Sequence, residues 1–231
     1  MSVAPTPLLR RLDGVDGMQP GCRRLVLVWP QLGDFDSMEY AQALVPQLPR
    51  LEAAGVSLLA IAIGNQAGRQ RFCTYTSFPA NNLLADANAN LHQSLGLYAG
   101  LQQFGTALPN LLLMCAGFGS PGTLSEVLRG YSGDAKASSR LTRGLWARLP
   151  GKDQLRPFEL ATIRLANMVE VLGHWRTYVP SNDYLTQRGG TFLLDADDSL
   201  LYVHRDPGLL GFSATMAKPL QFIEPWLPSL S

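Results

Sequence analysis

The stretch LVLVWPQLGDFDSMEYAQALVPQLPRLEAAGVSLLAIAIGN, residues 25–65, decides the fold. It predicts a buried strand over 25–29, a helix from about Ser37 to Ala54, and a second buried strand over 56–63. Two apolar strands joined through a helix are typical of neighbouring parallel strands in a sheet that helices cover on both faces. The chain is therefore expected to have an α/β fold.

The helix in this stretch contains Pro46 and Pro49. Each proline removes a backbone N–H and clashes with the preceding turn, so we expect the helix to be kinked or split. Further along, the pattern predicts a short helix over 68–76, a strand over 83–86 and a short helix around 91–95.

The last two predicted strands form a hairpin. Residues 191–194 and 200–204 are its predicted strands, and 195–199 is the turn between them. We expect these two antiparallel strands to join the three earlier strands in one mixed sheet.

The remaining segments do not show this alternation of strands and helices. Residues 1–23 carry several prolines and glycines and predict a loose lead-in. Residues from about 100 to 180 predict a helical insertion, which includes a helix over 158–175. We interpret 1–231 as a single domain.

Composition excludes several classes of protein. Apolar residues make up 46% of the 231 residues and charged residues 16%, with a formal net charge of +1, which is globular and gives no reason to expect a nucleic-acid partner. No apolar run approaches the roughly 18 residues that cross a bilayer, and no secretory signal precedes the first strand, so we expect a cytoplasmic protein. The three cysteines, Cys22, Cys73 and Cys115, include no CxxC pair, and we predict no metal site and no cofactor.

The order of the elements resembles that of thioredoxin-like proteins. Four stretches further resemble the peroxiredoxin-like proteins of the AhpC/TSA antioxidant family: residues 25–65, RFCTYTSFP (71–79), LLADANANLHQSLGL (83–97) and GGTFLLDADDSLLYVHRD (189–206). The resemblance covers roughly half of the chain, and our nearest comparison is with members from photosynthetic bacteria and plastids. It implies a thioredoxin-like fold, and thiol peroxidase or antioxidant activity for the family.

The resemblance places the family's thiol chemistry in the segment from Pro30 to Ser37. Aligned with the family's CxxC, Asp34 and Ser37 occupy the cysteine positions; aligned with Pro-x-x-x-Thr-x-x-Cys, Pro30 fits and Ser37 again stands at the attacking cysteine. A helix N-terminus favours a thiolate there, but a serine hydroxyl stays protonated near neutral pH and has no sulfenate chemistry. We therefore expect a redox-inactive protein that acts by binding, with Asp36 or Ser37 as the helix N-cap.

Other residues keep two alternatives open. Cys115 or Cys73 is a candidate redox thiol of a thiol-dependent antioxidant or reductase, although each also suits a small buried side chain. Gly117–Gly122 spells GxGxxG, which fits anion or nucleotide binding, or simply the turn into a helix that a capping box at 123–126 begins. Arg205, at the end of the last predicted strand, is a candidate anion-facing residue near the Ser37 position.

A basic stretch in the predicted insertion suggests a docking surface. Arg143, Trp146 and Arg148 lie between Asp134 and Asp153 with no acidic residue in that interval. Cations steer an acidic partner, and an exposed tryptophan anchors contacts, so an acidic protein is the partner that we expect. The alternative is a solvated connection in which Trp146 packs back onto the domain.

Overall fold

A computed structural model describes residues 2–99, 156–206 and 220–227 of the chain. Its five strands form one sheet: β1 (Arg23–Gln31), β2 (Val56–Ile63), β3 (Leu83–Asp86), β4 (Gly190–Leu194) and β5 (Leu200–Arg205). The order across the sheet is β3-β2-β1-β4-β5, with β1 at the centre.

The predicted strand pairings are confirmed. β1 and β2 are parallel neighbours, with Leu25 opposite Leu58, and β2 and β3 are also parallel. β4 runs antiparallel to β1 and forms the predicted hairpin with β5, so the sheet is mixed. Sequence-distant strands therefore meet at the centre, where β4 lies directly against β1.

The helices of the described residues follow the predicted alternation. They are α1 (Thr6–Leu12), α2 (Phe35–Leu44), α3 (Leu48–Ala53), α4 (Gln66–Thr76), α5 (Asn90–Ser94), α6 (Arg156–Gly173) and α7 (Trp175–Tyr178). The expected split at the prolines is confirmed, because a 3₁₀ turn over Val45–Gln47 separates α2 from α3. None of these helices is long and apolar enough to cross a bilayer.

Helices cover both faces of the sheet, as predicted. Alternate side chains of β1 point to opposite faces: Leu27 and Trp29 join the core beneath α2 and α4, whereas Val26 and Val28 join a second core beneath α1 and α5. All four are buried. The burial of β1 on both faces explains its continuous apolar sequence.

The N-terminal segment differs from the loose lead-in that we expected. It contains α1, and Leu8, Leu12 and Met18 are buried against the second core. Arg24, 1% exposed, donates to the Asp198 carboxylate at 2.7 Å and so ties the start of β1 to the hairpin turn. The prolines and glycines here mark the start of a helix and the turns after it.

The long helix α6 matches the predicted helix over 158–175. Its buried Asn167 exchanges amide hydrogen bonds with Gln42 of α2, at 3.0 and 3.1 Å. The Tyr75 hydroxyl of α4 also donates to Asn167, at 3.1 Å. These bonds fix α6 against the helices that cover the first core.

Candidate functional site

The candidate site begins where β1 turns into α2. The Asp34 N–H donates to the Gln31 carbonyl at 2.8 Å, and α2 begins at Phe35. Gly33 is required in this turn, because a Cβ there would lie 2.6 Å from a methyl group of Val179. The sharp turn brings the first residues of α2 into the interior.

The helix N-cap differs from our expectation of Asp36 or Ser37. Asp34 is the N-cap, and its Oδ2 accepts from the Ser37 N–H at 2.9 Å. The same oxygen accepts from the Ser37 hydroxyl at 2.7 Å. Ser37, only 1% exposed, therefore lies in the first turn of α2, as predicted, and its hydroxyl is engaged locally.

A buried arginine that precedes β4, the strand beside β1, faces this turn. Arg188, 3% exposed, directly precedes the Gly189-Gly190 pair that leads into β4. Its Nη1 donates to Asp34 Oδ1 at 3.1 Å, and its Nη2 lies 3.6 Å from Asp36 Oδ2. One guanidinium thus contacts two carboxylates at the start of α2.

A third carboxylate completes the cluster from the end of β5. Asp206 Oδ2 lies 3.8 Å from Arg188 Nη2 and accepts from the Gly189 N–H at 3.0 Å. Its Oδ1 lies 3.4 Å from His204 Nε2. We call Asp34, Asp36, Arg188 and Asp206 the buried ion cluster.

Burial and charge act against each other in this cluster. Burial raises the pKa of the Asp34 carboxyl, and Asp36 adds to this, whereas Arg188 and the bonds from Ser37 oppose it. Burial alone would lower the pKa of Arg188, but the carboxylates around it hold that pKa above its usual value. The guanidinium therefore stays a cation, and the site is a closed set of ion contacts rather than an exposed nucleophile.

A family comparison bears directly on this fold and site. A family model described as AhpC/TSA antioxidant enzyme matches residues 43–208, which is more than half of the chain. The chain belongs to the AhpC/TSA antioxidant family. This membership and the mixed sheet establish the predicted thioredoxin-like α/β fold and indicate a redox-related protein. No match was found among curated proteins or among solved structures.

The AhpC/TSA match begins after the first turn of α2. The assignment of Pro30, Asp34 and Ser37 to the family's thiol positions therefore stays a prediction. Arg188 and Asp206 lie within the matched residues, and our reading of the sequence missed both of them as site residues. A charged residue just before a glycine pair and a buried strand is the signal that could have revealed Arg188.

Arg205 does not occupy the place that we expected for it. Its Nε donates to the Leu95 carbonyl at 3.3 Å, and its guanidinium lies 5.9 Å from the centre of the Phe192 ring. Both residues belong to the second core, beneath α1 and α5. Among the described residues, Arg188 is the arginine that contacts the first turn of α2.

The cysteines of this AhpC/TSA protein that the structure describes are both free thiols. Cys73 lies on α4 and is buried, and burial raises the pKa of its thiol although Arg69 opposes the shift. A raised pKa is unlike that of a reactive cysteine, which is a thiolate near neutral pH. Cys22 is half-buried, with its Sγ 3.5 Å from the Ser57 hydroxyl.

Several predicted sites lie outside the described residues. They are Cys115, the Gly117–Gly122 turn, and the docking residues Arg143, Trp146 and Arg148. Among the described residues, no group of three or more His, Cys, Asp or Glu side chains is placed to hold a metal ion.

The raised pKa of Asp34 predicts a particular pH dependence of stability. The folded state binds this proton more tightly than the unfolded chain, whose aspartate pKa is near 3.8, so the stabilisation is complete below that pH. It is lost as the pH rises through the folded pKa. Relative to Asp34→Asn, the wild-type free energy of unfolding should therefore fall as the pH increases from about 4, measured by urea unfolding.

The control for this prediction is Asp197→Asn in the exposed hairpin turn. Hydrogen bonds from Ser199 lower the pKa of Asp197, so its contribution should be lost as the pH falls, the opposite direction. For each variant, the difference in free energy of unfolding from the wild type is plotted against pH. Equal slopes for the two variants would contradict the assignment of the effect to burial of Asp34.

Proposed function

We propose that this AhpC/TSA protein is redox-inactive at the first turn of α2 and acts by binding a partner protein. The observation that carries the proposal is the Ser37 hydroxyl, which is buried and donates to Asp34 at 2.7 Å. In this proposal Ser37 stands at the position of the family's attacking cysteine, with Pro30 and Asp34 as the other remnants of the site.

The chemistry of the position supports the loss of peroxidase activity. Peroxide reduction by a thiol needs a thiolate that passes through a sulfenic acid, and a hydroxyl oxygen cannot do this. The adjacent Asp34 carboxylate further disfavours negative charge on the Ser37 oxygen. Cys73 does not replace it readily, since it is buried and its thiol pKa is raised.

The binding half of the proposal concerns the basic stretch. Arg143, Trp146 and Arg148 are the residues that we propose for an acidic partner protein, with the cations steering the encounter. We further propose that the protein acts in the cytoplasm and that its relatives in photosynthetic organisms are the ones to compare first.

A peroxide assay tests the redox half. The full-length protein, with dithiothreitol or thioredoxin as reductant, should consume hydrogen peroxide no faster than a protein-free control. Consumption that Cys115→Ser or Cys73→Ser abolishes would replace the proposal by the thiol-enzyme alternative. A thermal shift with ATP or NAD would instead favour ligand binding at the Gly117–Gly122 turn.

A capture experiment tests the binding half. Partners of the wild type should be lost in the triple variant Arg143→Ala, Trp146→Ala, Arg148→Ala, and should be weakened by salt, because exposed charges are screened within about 10 Å at 0.1 M. A variant that keeps every partner, or partners that resist salt entirely, would rule this docking surface out.

A further inference from the structure

Three hydrogen-bond donors converge on the Asp34 carboxylate. Its Oδ2 accepts from the backbone N–H of Ser37 at 2.9 Å and from the Ser37 hydroxyl at 2.7 Å. Its Oδ1 accepts from Arg188 Nη1 at 3.1 Å. A helix N–H, a hydroxyl and a guanidinium are the groups with which proteins bind free anions.

The donors that hold Asp34 are also those that an anion at residue 37 would need. The start of the ten-residue helix α2 favours negative charge, and a nearby guanidinium does so more strongly. Both are already directed at Asp34, where burial raises the pKa of the carboxyl, and Arg188 and the bonds from Ser37 favour the ionised carboxylate against it. An anion on the side chain of residue 37 would lie beside that carboxylate, because Ser37 Oγ is only 2.7 Å from it.

We propose that the Asp34 carboxylate is a tethered anion that fills the anion-binding position at the start of α2 and inhibits it from within. This inference rests on the proposed function, in which residue 37 stands at the family's thiol position. The contact would keep the site inactive even if a thiol were restored, because a cysteine at residue 37 would still lie beside the Asp34 carboxylate.

The other charged groups of the buried ion cluster act differently. Asp36 and Asp206 approach Nη2 of Arg188, at 3.6 and 3.8 Å, and Asp34 approaches Nη1. His204 lies beyond Asp206, at 3.4 Å. Beyond the effect of burial, Asp206 also raises the pKa of two tyrosine hydroxyls, those of the buried Tyr40 on α2 and of Tyr202 on β5. Removing the charge of Asp34 should therefore remove the negative charge nearest residue 37, although an asparagine there can still cap α2.

The test measures the thiol that Ser37→Cys introduces. Its pKa, followed by the ultraviolet absorbance of the thiolate against the wild type, should lie at or above about 8.5, the free value. Adding Asp34→Asn should lower it by at least about one unit, since it removes an adjacent like charge. No shift, or a rise, would overturn the inference.

Asp206→Asn in the same Ser37→Cys background is the matched control. It removes one carboxylate charge from the buried ion cluster without removing a hydrogen-bond partner of residue 37. The thiol pKa should shift clearly less than with Asp34→Asn. An equal or larger shift of the thiol pKa would mean that the total charge of the buried ion cluster matters, and not the position of the Asp34 carboxylate beside residue 37.

A second measurement covers the case in which the double variants do not fold. Sodium formate should raise the melting temperature of Asp34→Ala more than sodium chloride at the same concentration, because formate can take the vacated place beside Arg188. The control is Asn65→Ala, which removes the N-cap of α4, where Asn65 accepts from the Gly68 N–H at 2.9 Å. Equal responses in the two variants would overturn the inference.

These outcomes are separate from those of the proposed function. Peroxide consumption by the wild type would refute redox inactivity whatever the thiol pKa of the variants. An unchanged thiol pKa would refute the tethered anion while leaving the wild type inactive.

Discussion

Replacing Arg188 by methionine is expected to lower the free energy of unfolding by about 3–5 kcal/mol, the range for removing one partner of a buried ion pair. The substitution leaves the buried carboxylate of Asp34 without its cation, which lies 3.1 Å away in the wild type. Methionine retains most of the apolar volume, so cavity formation adds little. Urea unfolding at neutral pH measures the loss.

A double-substitution cycle identifies the cause of this loss. Adding Asp34→Asn to Arg188→Met should recover part of the lost stability, because the uncompensated charge is then gone. Arg71→Met is the matched control: Arg71 pairs with Glu170 at 2.7 Å, but its side chain is partly exposed, so solvent screens the pair and the loss should be small. If Arg188→Met lowers the free energy of unfolding no more than Arg71→Met does, the buried ion cluster does not stabilise the fold.

The elements that the sequence predicts well are those that local patterns determine. Apolar runs give β1 and β2, the prolines give the break between α2 and α3, and the turn at 195–199 gives the hairpin. Each of these depends on residues close together in the chain. The pairing of β1 with β2 follows from the same patterns, since a helix joins two buried strands.

The candidate site depends on contacts that no local pattern contains. Asp34 and Arg188 are 154 positions apart in the chain, and they meet because β4 inserts beside β1. The sequence predicted that the hairpin would share the sheet, but not that the residue before β4 would face the first turn of α2. The N-cap was also misjudged, because Asp34, Asp36 and Ser37 are all good capping residues and only the backbone turn selects one of them.

The N-terminal segment illustrates a second limit. Prolines and glycines in residues 1–23 indicated a loose lead-in, yet Pro5 directly precedes α1 and Gly14 and Gly17 adopt positive φ in turns. Whether such a segment is ordered depends on whether its apolar residues find a surface. Here Leu8 and Leu12 pack on the second face of the sheet, which the sequence of the segment alone does not show.

Replacing Gly189 by alanine is expected to destabilise the protein by about 3 kcal/mol, at the upper end for overpacking. A Cβ at this position would lie 2.2 Å from the Val28 carbonyl oxygen and 3.1 Å from Cδ of Pro30. The first of these is a backbone atom of the central strand and cannot move aside cheaply. β4 must therefore shift away from β1, and Arg188 must shift with it.

Gly173→Ala provides the matched control for this effect. Gly173 ends α6, has no atom within 4 Å of an added Cβ, and should tolerate alanine with no loss of stability.

Because Gly189 also donates its N–H to Asp206 at 3.0 Å, its displacement should weaken the buried ion cluster as well as the strand pairing. The loss from Gly189→Ala should therefore be smaller in a protein that already carries Arg188→Met, as measured by urea unfolding. Full additivity of the two losses would mean that the close approach of β4 to β1 stabilises the sheet without positioning Arg188.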